Sequence, residues 1–429
     1  EYAIDYASAG MYDEAAQLLS FVTEDAEVTY PMVYFALGYF ASKMGKKDEA
    51  VALYKKAETI CPDYCFPNKI EEVLMLNDAM KLNPEGAKAP YYLGNFHYAA
   101  RIYDEAVACW EKSVSIDDTY PTVLRNLSLA YYNKQNNPQK ALATLEKAYK
   151  LDESDARILM ELDQLYKKLR YSHRQRLDFL NAHAEVVEQR DDLCIERITL
   201  YNQLGEYQTA YDLINSRKFH PWEGGEGKVT SQYVFCRVEL AKIALKEGRY
   251  ADAVRLLKET EKYPDNLGEG KLSMAEENDI HYWMGCAYEG LGEADLAKEY
   301  FERATKGSAE PAIAFFYNDQ QPDKIFYQGL AWRKLGDEDK ARSRFNKLIK
   351  HGEKHLFDKV KIDYFAVSLP DLLIWDDDLN VRNLLHCNLV MGMGYLGLGD
   401  KEQARKFLSE VARLDINHQA GKQLLEMCD

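Results

Sequence analysis

The chain has 429 residues, 47% of them hydrophobic and 29% charged, which is enough apolar material for a buried core and argues against disorder. Its 54 Lys and Arg stand against 70 Asp and Glu, a net charge of −16, so the average surface repels phosphate backbones and anionic lipid. Nucleic acid and membrane surfaces are therefore set aside as partners, and no stretch reaches the ~20 apolar residues of a membrane span.

From the N-terminus, Glu1-Tyr2-Ala3-Ile4-Asp5 is not a signal peptide, and no Met opens the sequence. The sequence enters at the end of a repeat, so it reads as the C-terminal piece of a longer protein, with an N-terminal domain missing. The next residues, Gly10-Met-Tyr-Asp-Glu-Ala15, form a phrase that returns as Gly205-Glu-Tyr-Gln-Thr-Ala210, Gly248-Arg-Tyr-Ala-Asp-Ala253 and Gly292-Glu-Ala-Asp-Leu-Ala297. In each, the alanine opens the second helix of a hairpin, where a small side chain lets two helix backbones approach closely.

The fullest unit follows: Tyr34-x2-Leu37-Gly38, then Gly45, Ala50, Tyr54, Ala57 and Pro62. Gly38 and Ala50 allow the close crossing, Tyr34 and Tyr54 fill the space beside it, Gly45 ends the first helix and Pro62 stops the second. Alanine markers at 15, 50, 106, 141, 210, 253, 297, 341 and 404 are separated by 35, 56, 35, 69, 43, 44, 44 and 63 residues. The 69-residue step contains a weak unit near Gln175. The 56-residue step contains Ile70 to Leu82, expected to be a second helix whose partner has shrunk to the turn at Phe66-Pro67-Asn68.

The expected fold is all-α: a right-handed α-solenoid of antiparallel helix hairpins, about ten repeats, with long loops in its C-terminal half. Repeat length divides it into an array of 34- to 35-residue units over 1–217 and a loop-bearing array over 218–429. The added residues fall in four connections, at 219–228, 263–271, 310–323 and 361–380, whose tips should cluster on one face.

These motifs resemble the tetratricopeptide-repeat superfamily over almost the whole chain, most specifically at 34–62 and 281–304. Trp is absent from the first aromatic position, and Ala41 stands where Tyr is usual. The strings Arg190-Asp-Asp-Leu193, Phe219-His-Pro-Trp-Glu-Gly-Gly-Glu-Gly227 and Phe365-Ala-Val-Ser-Leu-Pro370 further resemble a bacterial family of large proteins. Those proteins carry such an array after a sugar-mutarotase-like β-sandwich. The resemblance implies an interaction module in a carbohydrate-related setting and supplies no catalytic residue.

Candidate binding residues lie in the loops and on the inner, concave face. His220, Trp222, Glu223 and Glu226 combine an aromatic platform, carboxylates and a glycine-rich backbone, with a gap-filling tryptophan as the structural alternative. Tyr317, Asn318, Asp319, Tyr364 and Trp375 belong to the later loops. Tyr39, Tyr91, Asn95, Tyr98 and Asn126 should line an aromatic and polar face suited to an extended peptide or a neighbouring domain. Arg125 and Asn133 are also available there, but the lysine positions of a carboxylate clamp are not filled.

Asp376, Asp377 and Asp378 read as helix capping over cation binding, because the alternating spacing and mid-loop glycine of a calcium loop are missing. His351 and His355, four apart, lack the HExxH order of a zinc site. Neither a Walker loop nor a Gly-x-Ser-x-Gly elbow occurs, so no catalytic residue, metal or cofactor is expected. The eight cysteines fall singly without a CxxC pair and read as buried free thiols, which favours a reducing compartment such as the cytoplasm.

Two function classes follow. The first is a scaffold that binds a protein, a peptide or its own N-terminal domain. The alternative is the helical part of a carbohydrate-active enzyme, with Glu223, Glu226, Asp319, Asp371 and Asp376 as candidate carboxylates held ~5 Å apart for retention or ~6.5–9.5 Å for inversion.

Overall fold

A computed structural model describes residues 1–25, 30–273, 275–312, 321–360 and 374–428. Every regular element among them is helical, as the repeat spacing predicts. The fold is an α-solenoid of stacked antiparallel hairpins, divided into two compact units, Glu1–Leu162 and Asp163–Asp429.

The first unit holds α1 (Tyr2–Ser8), α2 (Tyr12–Asp25), α3 (Met32–Lys43), α4 (Lys47–Glu58), α5 (Ile70–Leu82), α6 (Lys88–Ala99), α7 (Tyr103–Ile116), α8 (Pro121–Asn133) and α9 (Pro138–Leu151). It ends within α10 (Ala156–Lys168). Hairpins form from α3 with α4, α6 with α7 and α8 with α9. Helix α5 exists where expected, but it lies against the first helices α3 and α6 and only lightly against α4. It therefore stands in the row of first helices and not, as the sequence reading had it, in the place of a second helix. Its start is fixed by Glu72, whose carboxylate accepts from the Asn68 and Lys69 N–H groups at 2.7 and 2.8 Å, satisfying two otherwise orphaned donors.

The second unit continues with α11 (His173–Ala182), α12 (Ala184–Val187), α13 (Asp191–Gln203), α14 (Tyr207–Asn215), α15 (Lys228–Lys246), α16 (Tyr250–Lys258), α17 (Asn278–Leu291) and α18 (Ala294–Ala304). It closes with α19 (Pro322–Lys334), α20 (Glu338–His355), α21 (Leu379–Leu398), α22 (Lys401–Leu414) and α23 (Gln419–Glu426). First helices α13, α15, α17, α19 and α21 touch one another in sequence, so they form the inner row of this unit.

Each marker alanine is buried and sits fourth in its helix: Ala50 in α4, Ala106 in α7, Ala210 in α14, Ala297 in α18 and Ala404 in α22. The glycine opposite is pressed by the second helix's aromatic ring. A Cβ on Gly38 would stand 2.5 Å from the Tyr54 ring, on Gly94 2.4 Å from Trp110, and on Gly285 2.5 Å from Phe301. Carbon atoms need about 3.5–4 Å, so only glycine permits these crossings.

The weak unit has a specific cause. The fourth residue of α11 is Arg176, in the place the other hairpins give to alanine. Arg176 and Asp163 of α10 are each only 1% exposed, and the guanidinium donates to both carboxylate oxygens at 3.0 and 2.6 Å. The small crossing is replaced here by a bidentate ion pair.

Most thiols are buried as expected, and burial raises the pKa of Cys65, Cys194, Cys236, Cys286 and Cys387. Cys61 is exposed, because it follows the end of α4 on the turn towards α5. No described helix is long and apolar enough to cross a membrane.

Candidate binding surfaces

In the first unit the inner-face residues form a polar ladder on successive first helices. The Asn95 carbonyl oxygen on α6 accepts from the Trp110 indole N–H at 3.1 Å and from the Asn126 amide on α8 at 3.3 Å. Asn126 in turn accepts from Arg125 at 3.2 Å. Arg125 pairs with the buried Glu161, which also pairs with Arg157 at 3.1 Å. The Arg125 guanidinium is thus committed to a carboxylate of its own chain.

Tyr98 is half-buried beside this ladder, and Tyr39, also half-buried, packs instead against the cluster of α1 to α3. Tyr98 packs 5.3 Å from Trp110, and the ammonium of Lys43 stands 5.1 Å from the Tyr39 ring. Tyr91 departs from expectation. It is buried between Tyr92 and Tyr120, with ring centroids at 5.2 and 5.1 Å, so it serves the core and not the open face.

In the second unit the inner row carries a set that sequence reading missed. Lys324 of α19 lies 2.5 Å from Asp279 of α17 and 3.2 Å from its neighbour Asp323. Burial disfavours its charge, but the two carboxylates outweigh burial and raise the Lys324 pKa. Beside them the Trp283 indole donates to the Tyr327 hydroxyl at 3.3 Å, and Lys242 of α15 stands 5.5 Å over the Trp283 ring while pairing with Glu239 at 2.8 Å. These residues come from three hairpins and share no local motif, so only the register of the stacked first helices brings them together.

Two of the four long connections meet. Phe219 N–H donates to the Asn266 carbonyl at 2.8 Å, and Gly227 N–H to Glu269 at 2.9 Å, joining 219–228 to 263–271. Tyr317, Asn318, Asp319, Tyr364 and the candidate carboxylate Asp371 lie outside the described residues.

Within the first loop, Trp222 is half-buried and folds back onto its own turn. A Cβ on Gly225 would meet the indole at 2.0 Å, so that glycine makes room for the tryptophan and not for a partner. His220 is 73% exposed and held 3.2 Å from Asp191, while Glu223 and Glu226 are exposed.

Trp375, expected as a binding aromatic, is 1% exposed and among the largest fully buried side chains. The neighbouring aspartates do structural work. Asp378 accepts from the Asn380 N–H at 2.8 Å to cap α21, and Asp377 pairs with Lys168 at 3.1 Å and Arg382 at 2.9 Å.

His351 and His355 share a face of α20, with ring centroids 4.6 Å apart, and His386 of α21 lies 6.0 Å from His351. His355 accepts or donates through Nδ1 to Asp358 at 2.6 Å. Burial lowers the His386 pKa to about 4 and also lowers that of His351. Among the described residues no three His, Cys, Asp or Glu side chains converge as metal ligands.

Comparison with known proteins agrees with the repeat geometry. One tetratricopeptide-repeat family model matches residues 33–64 and 279–306, and a second matches 325–351. The chain therefore carries tetratricopeptide repeats, a module class whose stacked hairpins present extended concave binding surfaces.

Similar solved structures include MamA, at 17% identity and TM-score 0.27 over 44% of this chain and 96% of that one. Another is YrrB, described as a TPR protein with an unusual peptide-binding site, at 15% identity and TM-score 0.30 over 53% of this chain and 90% of that one. A MamA fragment from Desulfovibrio magneticus RS-1 gives 17% identity and TM-score 0.27 over 44% and 93%.

Proposed function

We propose that the chain is a docking scaffold that binds an extended peptide segment along its first helices, with no chemistry of its own. The carrying observation is the Asn95–Asn126 pair. Two side-chain amides on successive first helices, with the half-buried Tyr98 beside them, offer a peptide main chain both donors and acceptors. Arg125 itself is engaged by Glu161 and Asn126, so the amides and not its guanidinium are offered to the ligand. In this reading the docking segment belongs to a partner protein or to another domain of the same protein, and the likeness of the 219–227 and 365–370 strings is what supports a carbohydrate-related setting.

Selection of displayed random peptides against the purified chain tests this reading. Enriched peptides should bind at least ten-fold more weakly to Asn95→Ala/Asn126→Ala at unchanged thermal stability. Equal binding to chain and variant would overturn it.

A further inference from the structure

Within the second unit, the last segment of the chain returns to the first hairpins. The buried Arg176 donates to the Asn417 side chain at 3.3 Å, and Gln203 of α13 donates to the Asn417 main-chain carbonyl at 2.5 Å. Lys422 of α23 donates to the Gln203 carbonyl at 2.6 Å, at the C-terminal end of α13 where a cation is favoured. Gln232 of α15 and Gln419 exchange amide hydrogen bonds at 2.9 and 3.0 Å.

This seam is joined by hydrogen bonds, with Tyr207 and Phe235 lining the gap beside them. Leu424 of α23, and Cys428 just past its end, belong to the cluster built by α19 to α22. The seam is also incompletely satisfied: Asn202 Oδ1, Gln203 Oε1 and Gln423 Nε2 are buried without a hydrogen-bond partner. The gap these residues line measures about 10 Å³, room for about one water molecule. Hydrogen bonds of this kind exchange for bonds to water at small net gain, which leaves the contact formed but open to competition by a segment offering the same groups.

We infer that the surface formed by Arg176 of α11 with the first helices α13 and α15 is a docking surface for a short segment bearing an Asn main-chain turn followed by Gln and Lys at the 417, 419 and 422 spacing. In the free chain, residues 417–422 occupy it in cis. Arg176 fits this reading: the one hairpin that gives up its small marker residue uses the arginine to reach Asn417. The inference rests on first-helix faces being docking surfaces, and it adds that this one is self-occupied and opens by competition.

The test uses the full chain and a synthetic, fluorescent peptide of residues 413–428. Gln419→Ala/Lys422→Ala weakens the cis segment and leaves the α11–α15 face untouched, so the peptide should bind this variant at least ten-fold more tightly than the unaltered chain. In the unaltered chain, excess peptide should speed amide exchange in 419–426 and not in 401–414, a readout that does not depend on how the variant folds. Equal affinity for variant and unaltered chain, or unchanged exchange in 419–426, would overturn the inference. Asn95→Ala/Asn126→Ala should leave capture of this peptide unchanged, so failure here is separable from failure of the reading for the first unit.

Discussion

Replacing Arg176 by methionine removes the guanidinium and leaves the Asp163 carboxylate buried, with 1% of its side chain exposed and its bidentate partner gone. Breaking a buried ion pair from one side costs about 3–5 kcal/mol, because the remaining charge keeps its desolvation penalty without its Coulomb return. Replacing both partners by apolar side chains of similar volume is commonly neutral, or stabilising by ~1–4 kcal/mol. Arg176→Met alone should therefore lower the melting temperature of the second unit by on the order of 10 °C, taking ~2–4 °C per kcal/mol for a unit of this size. Arg176→Met/Asp163→Leu should recover much of that loss, since Glu196, which also pairs with Arg176 at 2.7 Å, keeps Lys167 at 2.9 Å. Melting followed by circular dichroism, with hydrogen exchange to localise the change to α10, α11 and α13, measures both. A double variant as unstable as the single one would show that the pair is not what replaces the small crossing, and would refute the reasoning.

Gly285→Ala places a Cβ 2.5 Å from Phe301, an overlap of about 1 Å. The overpacking penalty of ~1–3 kcal/mol outweighs the ~1 kcal/mol gain in helix propensity. Urea titration should show net destabilisation, eased in Gly285→Ala/Phe301→Leu; a stabilised single variant would contradict the close crossing. His386 titrates at about 4 in the fold against an ordinary 6.5, because burial disfavours its charge. Its folded pKa is depressed, so below pH 6.5 the unfolded chain binds a proton that the folded chain refuses until about pH 4. Stability should fall on acidification through that window, by about 3 kcal/mol for this group. Stability measured from pH 7 to 5 should decline less steeply in His386→Asn; identical slopes would count against a buried neutral imidazole. Gly225→Val should expel the Trp222 indole and alter its fluorescence emission, and an unchanged spectrum would show that the indole does not rest on that turn.

Much of the fold was legible because one mechanical requirement repeats. A small residue must stand fourth in each second helix, opposite a glycine or other small residue under an aromatic ring, and Ala50, Ala106, Ala297 and Ala404 announce it in the sequence. The same rule made the α10–α11 hairpin look poor, since a charge pair solving the same packing problem carries no periodic signal. The sequence also showed the inner-face amides Asn95 and Asn126, which fall on the first helices of adjacent hairpins. It did not show that Tyr91 and Trp375 turn into the core, because an aromatic side chain beside a turn reads alike whether it faces solvent or a neighbouring helix. The Asp279–Lys324–Trp283–Tyr327 set and the seam at Asn417 were invisible for another reason: they depend on the register of stacked helices, with partners up to 241 residues apart.

The central claim is that ligand lies along the first helices. Site-resolved photo-crosslinking tests it most directly, with a photoreactive side chain placed either at Asn126 on α8 or at the exposed Ala143 on α9, and a selected peptide added to each. Crosslinks from position 126 and none from position 143 are the result the account predicts. Crosslinks from position 143 with none from position 126 would contradict it.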